Sequence, residues 1–191
     1  SQIVAEQLGL RIEDISVNLE IDTAKDQWSI ASGNYSCRFS PGSAVAMHLA
    51  ARRIREKLAS IASKQLNVLA SDVEFGDGKI FARGNPDNSI PFTRAAGTAH
   101  WSPAMLPDGV APALRETAIW NPPELEPPDS ADRINTSLTY GFVFGMCGVE
   151  IDPRTYQVRI DRYVSMHDAG KLLNPLIAEG QIKGAFVQGL A

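Results

Sequence analysis

The sequence predicts an α+β protein in which helices pack against a mixed or antiparallel sheet. Segments with helical spacing of apolar residues and segments with period-two spacing both occur, and turn-forming residues separate them. Of the 191 residues, 44% are hydrophobic and 21% are charged, as in ordinary globular proteins. A chain of this length is long enough to bury a core.

The chain begins with a short helix followed by a strand. Apolar spacing predicts a helix over residues 2–8, and Gly9 suits its end because glycine readily adopts a left-handed backbone. Residues 11–21 alternate apolar and polar side chains, which predicts a half-buried strand. Residues 22–39 are rich in Ser, Gly and Asn and predict an irregular loop.

A long amphipathic helix follows and is the strongest local signal in the sequence. It begins after the run SPGS at residues 40–43 and ends near Gln65. One face is apolar and the other carries mostly charged side chains, a pattern typical of a helix that covers a core. The apolar face consists of Met47, Ala51, Ile54, Leu58 and Ile61.

The middle of the chain is predicted to hold a hairpin, a short helix and a long crossing. Residues 73–82 surround the turn sequence GDG at residues 76–78, which predicts a hairpin with positive φ angles in its turn. Residues 90–93 predict the end of a strand that enters a short helix. Prolines accumulate over residues 102–132, which predicts a surface crossing with sparse regular structure.

The last quarter of the chain predicts a second hairpin and a final helix. Residues 140–150 and 158–166 are strand-like, and the turn-forming tetrad DPRT at residues 152–155 joins them. Pro175 near the first helical position and the apolar residues after it predict a helix over residues 176–191.

Charge and cysteine content argue against several classes of function. The sequence has 18 Lys and Arg against 22 Asp and Glu, a net charge of −4, and no long basic run, which argues against nucleic acid and anionic membranes as partners. Cys37 and Cys147 lack C-x-x-C spacing and are too few for a disulfide framework, which favours a reducing compartment, the cytoplasm. No segment reaches the roughly 20 apolar residues of a membrane span.

The start of the long helix is the first candidate site. Small residues at positions 40–44 let a ligand approach the backbone closely, and the N–H groups of a first helical turn favour an anion such as phosphate. A plain helix cap has the same residues, so the capping interpretation stays open beside the ligand site.

The second candidate site is the polar cluster at residues 167–175, which follows a predicted strand and precedes a helix that contains glycines. Sheet proteins commonly bind ligands at such positions. A glycine inside a helix costs about 1 kcal/mol relative to alanine, so Gly180, Gly184 and Gly189 need a reason. Close packing against another backbone and close approach of a cofactor both supply one.

Other catalytic arrangements find no support in the sequence. His48, His100 and His167 lack the spacing of a metal site, so no metal ligand is assigned. Because neighbouring residues on a strand point to opposite faces, His167 and Asp168 are not expected to act as a pair. There is no G-x-S-x-G for a hydrolase and no G-x-G-x-x-G for a dinucleotide. Cys147 lies in an apolar run and is expected to be buried.

Taken together, the two candidate sites carry a longer pattern. The first part runs from Gly33 through SPGSA at residues 40–44 into AARRIREK at residues 50–57. The second and more specific part is HDAG at residues 167–170, then NP, then GQIKGAFVQG at residues 180–189. In this order, and over essentially the whole chain, the sequence resembles the molybdenum-binding large subunit of the xanthine dehydrogenase, aldehyde oxidase and carbon monoxide dehydrogenase family.

This resemblance implies an oxidoreductase that hydroxylates aldehydes, heterocycles or similar carbon centres with oxygen from water. Electrons pass in that family to iron–sulfur clusters and usually to FAD on partner domains or subunits, within an oligomer. A molybdopterin cofactor, often in a cytosine dinucleotide form, holds the metal without a protein ligand.

The resemblance also assigns cofactor contacts in this chain. Gln181 places its side-chain amide near the oxo or pterin side of the metal. Backbone N–H groups at the helix start face the anionic cofactor. They belong to Gly42, Ser43, Ala44, Val45 and Ala46.

Two parts of the family pattern are missing, and one of them is the set of upstream glycine-rich loops, including the G-Q-G that precedes a helix like the one at residues 1–10. The catalytic glutamate of the family lies in a Gly-x-Gly-Glu motif that this sequence lacks, and neither Glu150 nor Glu179 lies at its place, so no catalytic residue is assigned. We expect residues 1–191 to be one segment of a molybdopterin-binding region, truncated at both ends and inactive alone. Two alternatives stay open: a cofactor-free interaction or scaffold domain, and a small-molecule-binding protein that uses residues 40–46 for another anion.

Overall fold

The computed structural model describes residues 1–26, 39–135 and 137–190, which divide into two compact units. One unit is Ser1–Leu138 and the other is Thr139–Ala191. Helices and antiparallel sheets occur together, so the predicted α+β class is confirmed, and both sheets are of the antiparallel kind. Residues 27–38 of the predicted loop, which include Cys37, lie outside the described residues.

The described residues of the first unit form three α-helices and a three-stranded sheet. Its elements are α1 (Gln2–Leu8), α2 (Ala44–Leu66), β1 (Val73–Gly76), β2 (Lys79–Ala82), β3 (Asn85–Pro91) and α3 (Phe92–Trp101). The long helix α2 ends at Leu66, one residue beyond the predicted end, and the left-handed backbone of the next residue, Asn67 (φ 56°), closes its last turn.

The sheet is an antiparallel meander with β2 in the centre. Phe75 pairs with Ile80, and Ile80 pairs with Ile90 on the other side. The β1–β2 turn has positive φ at both Asp77 (50°) and Gly78 (71°), which matches the right-handed twist of the strands. The predicted hairpin and its turn are therefore confirmed.

The core of the first unit lies between α2, the sheet and α3. Leu58 and Ile61 from α2 and Ile80 from β2 are the largest fully buried side chains. Ala95 and Ala99 of α3 belong to the same cluster and are fully buried. Alanines let α3 approach α2 closely, because the distance between helices depends on the side chains at the contact.

The prediction of a strand at residues 11–21 is wrong. A 3-10 turn at Ile12–Asp14 occupies its start, and Val17, Leu19 and Ile21 are 58%, 87% and 69% exposed. No strand among the described residues pairs with this segment, so its alternating pattern has neither a ladder nor a surface to cover.

The proline-rich crossing over residues 102–132 has little regular structure, as predicted. It contains a 3-10 turn at Pro103–Met105, and Glu126 forms a single antiparallel bridge with Asn135.

The second unit is a long hairpin with one helix against it. The hairpin consists of β4 (Phe142–Ile151) and β5 (Val158–Asp168), and the helix is α4 (Pro175–Leu190). Tyr163 of β5 stacks on Phe186 of α4, with ring centroids 4.4 Å apart. Most described residues of the second unit are exposed. Cys147 is among them, which corrects the expectation that its thiol is buried. In the described ranges, no helix is long and apolar enough to cross a membrane.

Candidate functional site

The start of α2 is built differently from a simple capped helix. A π-helical turn, Phe39–Ser43, leads directly into α2, and Ser43 itself has helical backbone angles (φ −60°, ψ −39°). Its side chain makes no capping hydrogen bond. Helical backbone thus already includes Phe39–Ser43, and the capping interpretation fails at Ser43.

The surroundings of this turn suit an anionic ligand. The first turn of α2 carries no acidic residue, so the positive end of the helix dipole is not offset by a local carboxylate. Gly42 is half-buried, yet among the described residues a Cβ atom placed on it meets no atom within 4 Å. The described part of the chain therefore leaves the backbone accessible at this position.

Part of the proline-rich crossing runs along α2 toward the same turn. Glu116 forms an ion pair with Lys57, and the carbonyl of Thr117 accepts a hydrogen bond from Arg53 Nη1 at 2.7 Å. Further along, Trp120 Nε1 donates to the carbonyl oxygen of Pro41 at 2.9 Å. We call residues 116–120 the strap; no periodic signal in the sequence indicated it.

The six residues proposed from the resemblance fall in two places. Gly42, Ser43, Ala44, Val45 and Ala46 are consecutive and are brought together where the π-helical turn meets α2, in the first unit. Gln181 lies on α4 of the second unit, where its side chain is exposed. Its neighbours Glu179 and Lys183 form an ion pair one helical turn apart, which lowers the pKa of Glu179 through the hydrogen bond from Lys183.

A groove of about 400 Å³ lies between the β4–β5 hairpin and α4. Cys147, Tyr163 and Phe186 are among its lining residues. Ser165 and His167 also face it, and Ser165 Oγ lies 2.6 Å from His167 Nε2. This pair was missed in the sequence, although residues two apart on a strand share a face.

Asp168 takes no part in that groove. It is the next residue along β5 and accepts a hydrogen bond from the backbone N–H of Gly170 at 3.4 Å, in the loop toward α4. His167 and Asp168 therefore have separate partners, as the alternation of a strand requires. Within residues 1–26, 39–135 and 137–190, no group of three or more His, Cys, Asp or Glu side chains could hold a metal ion.

Comparison with known proteins gives one consistent family. The family model described as molybdopterin cofactor-binding domain matches residues 1–191. The carbon monoxide dehydrogenase large chain of Hydrogenophaga pseudoflava is 30% identical over 191 residues, which is all of this chain and 21% of that protein. The nicotine 6-hydroxylase large subunit of Paenarthrobacter nicotinovorans is 28% identical over 190 residues, again 21% of its length.

The solved structures agree with the sequence relatives. The crystal structure of quinoline 2-oxidoreductase from Pseudomonas putida 86 superposes with a TM-score of 0.78 at 27% identity, covering 96% of this chain and 21% of that one. The chain thus spans about a fifth of the length of the relatives it matches. Since the family model matches its whole length, the chain belongs to the family of molybdopterin cofactor-binding domains.

Proposed function

We propose that this chain forms one wall of the molybdopterin pocket in the large subunit of a molybdenum hydroxylase. Backbone N–H groups at the start of α2 bind the anionic cofactor, and Gln181 directs its side-chain amide toward the oxo or pterin side of the metal. The N–H donors belong to Gly42, Ser43, Ala44, Val45 and Ala46. The observation that carries the proposal is the start of α2, where the first turn has no acidic residue and no atom of the described residues lies within 4 Å of a Cβ position on Gly42.

The chemistry of these residues fits such a group. A phosphate at the N-terminal end of a helix is bound by backbone donors and by the helix dipole, which adds about 0.3–1 kcal/mol in exposed positions. Small side chains at residues 42–44 leave the backbone accessible. A metal held by the sulfur atoms of its cofactor requires no cluster of protein ligands, so the donor set of this chain suits molybdopterin.

When bound, the cofactor supplies the metal centre at which a substrate carbon is oxidised with oxygen from water. The residues of this chain bind and orient it. The amide of Gln181 both donates and accepts hydrogen bonds, which suits a position beside a polar face of the cofactor. We assign no proton-transfer role to this chain, and we expect it to be inactive alone.

The exposed apolar surface of the second unit supports a position inside a larger subunit. Phe142, Phe144 and Met146 of β4 are all more than half exposed. Helix α4 carries apolar side chains around its whole circumference, a pattern found in helices that are covered on every side. Contiguous apolar surface of this kind marks a contact with another part of a protein, and we propose that the rest of the large subunit covers it.

The location, oligomeric state, electron-transfer partners and cofactor form of the enzyme are further parts of the same proposal. The names of the relatives, large chain and large subunit, denote parts of multi-subunit enzymes. We propose a cytoplasmic oligomer in which this subunit passes electrons to iron–sulfur and flavin partners and binds the cytosine dinucleotide form of the cofactor.

Metal and pterin analysis of the full-length protein, purified from its own host, tests the proposal. We expect about one molybdenum and one pterin per large subunit. An Asp at position 42 places a negative charge beside the anionic group, so Gly42→Asp is expected to retain at least fivefold less of both than Gly42→Asn, a neutral side chain of the same size. Wild-type protein without molybdenum and pterin would contradict the proposal and favour the cofactor-free scaffold.

A further inference from the structure

Trp120 joins the proline-rich crossing to the turn that precedes α2. Its indole Nε1 donates to the carbonyl oxygen of Pro41 at 2.9 Å, between residues 79 positions apart in the sequence. Pro41 lies inside the π-helical turn Phe39–Ser43. Short π-helical turns are rare in proteins and frequently occur at functional sites, so a side chain that binds the carbonyl of such a turn is well placed to hold its shape.

The strap that carries Trp120 is itself attached to α2. The ion pair of Glu116 with Lys57 is partly buried, with side-chain exposures of 17% and 27%. Arg53 binds the carbonyl of Thr117 at 2.7 Å. As the residue number rises along the strap from 116 to 120, the residue number of its partner falls from Lys57 through Arg53 to Pro41. The strap is therefore antiparallel to α2.

Because the strap is attached to α2, it restrains the π-helical turn that precedes this helix. Lys57 and Arg53 lie on the regular, well-packed part of α2, whereas Pro41 precedes it. A strap fixed at two points of the helix places the indole of Trp120 at a defined position over the turn. The turn is therefore held both by its continuity with α2 and by a donor from elsewhere in the chain.

We propose that Trp120 is a positioning residue: its hydrogen bond to Pro41 fixes the turn Phe39–Ser43 and so sets the backbone of Gly42–Ala46 toward the cofactor. The second half of this inference rests on the proposed function. A binding site must hold its donors within about 0.5 Å of the productive geometry. The carbonyl of Pro41 and the N–H of Gly42 belong to one planar peptide group, so a donor that fixes this carbonyl also fixes the direction of that N–H.

Amide hydrogen exchange in the full-length protein tests the first half without reference to the cofactor. Trp120→Phe keeps an aromatic ring and removes the N–H donor. Loss of one hydrogen bond is expected to raise exchange at residues 42–46 about fivefold, with no change in α3 and no change in the unfolding temperature beyond a few degrees. Trp101→Phe, the same substitution at an exposed site at the end of α3, is the matched control and is expected to leave residues 42–46 unchanged.

A second variant separates the hydrogen bond from the packing of the ring. Trp120→His keeps a ring N–H and is expected to recover part of the protection. Equal exchange in the Phe and His variants would assign the effect to ring packing and overturn the proposal, as would unchanged exchange in Trp120→Phe.

Molybdenum and pterin content in the same samples tests the second half. In a wild-type protein that contains the cofactor, Trp120→Phe is expected to lower the content at least twofold. Full retention despite faster exchange at residues 42–46 would overturn the role of Trp120 toward the cofactor and leave the proposed function standing. A wild-type protein without cofactor would instead contradict the proposed function, while the exchange data would still decide whether Trp120 positions the turn.

Discussion

The carbonyl oxygen of Gly9 accepts a hydrogen bond from the backbone N–H of Gly78 at 2.9 Å, which joins the end of α1 to the β1–β2 turn. Gly9 has φ 64°, in the left-handed region, and a Cβ atom on it would lie 2.5 Å from the backbone nitrogen of Gly76. Both the backbone conformation and the available space therefore require glycine at this position.

Gly9→Ala is expected to destabilise the chain by about 3 kcal/mol, of which about 1 kcal/mol is left-handed strain and the rest is overlap with β1. Gly84→Ala is the control, because Gly84 also has positive φ (74°) but no atom of the described residues lies within 4 Å of its Cβ position. Gly84→Ala should therefore lose only the roughly 1 kcal/mol of stability that left-handed strain costs. Denaturant unfolding measures both, and equal losses would show that the contact with β1 does not matter.

Leu58→Ala should destabilise the first unit strongly. Leu58 is completely buried between α2, the sheet and α3, and removal of a buried leucine leaves a cavity that costs about 2–5 kcal/mol. Leu69→Ala at an exposed position, with 72% of the residue accessible, should cost about 0.5 kcal/mol or less. Similar midpoints of denaturation for the two variants would place the core elsewhere.

Local sequence signals were sufficient for most elements of the fold. The helix α2 was predicted from its apolar spacing, and the β1–β2 hairpin from Asp77 and Gly78, because these signals lie within one element or one turn. The strand expected at residues 11–21 failed because alternation describes only one side of a ladder. Pairing requires a second strand, and the described residues offer none to that segment.

The candidate site was predictable only in part. Small residues at 40–44 indicate the start of α2, but they do not reveal the π-helical turn Phe39–Ser43 that leads into it. The bond between Trp120 and Pro41 joins distant parts of the chain and follows no period, so local reasoning had no means of finding it. The apolar neighbours of Cys147 predict a buried thiol, yet Cys147 is exposed because it lines an open groove between the hairpin and α4.

The ion pair of Lys57 with Glu116 should contribute more than an ordinary surface pair. Both side chains are less than a third exposed, whereas those of Arg52 and Glu56 on the same helix are 55% and 66% exposed. Double-mutant cycles with alanine are expected to give a coupling of about 1 kcal/mol for the first pair and about 0.3–0.5 kcal/mol for the second. Equal couplings would mean that the strap does not shield its ion pair from solvent.

The pKa of Asp152 is expected to lie below its ordinary value of 3.8, chiefly because the backbone N–H of Arg154 donates to its carboxylate, with a second bond from Thr155. Its contribution to the β4–β5 hairpin is therefore complete above the unfolded-state pKa of about 4 and is lost as the pH falls through the lower folded-state pKa. Titration of the carboxyl carbon by NMR measures this pKa. Asp152→Asn should remove the associated pH dependence, and a midpoint at or above 3.8 would contradict the assignment.

Gln181→Ala is expected to lower molybdenum content or turnover of the full-length protein about tenfold, since one hydrogen bond to a charged group is worth about 1.5–3 kcal/mol. The fold should survive, because the side chain of Gln181 is exposed on α4. Gln181→Glu keeps the size but replaces the amide donor with a negative charge, so it should retain no more cofactor than the alanine variant. Lys183→Ala, which removes only an exposed ion pair with Glu179, is the control on the same helix. Unchanged turnover and metal content in Gln181→Ala, with the control also unchanged, would remove Gln181 from the cofactor contacts and leave the start of α2 as the part of the pocket that this chain supplies.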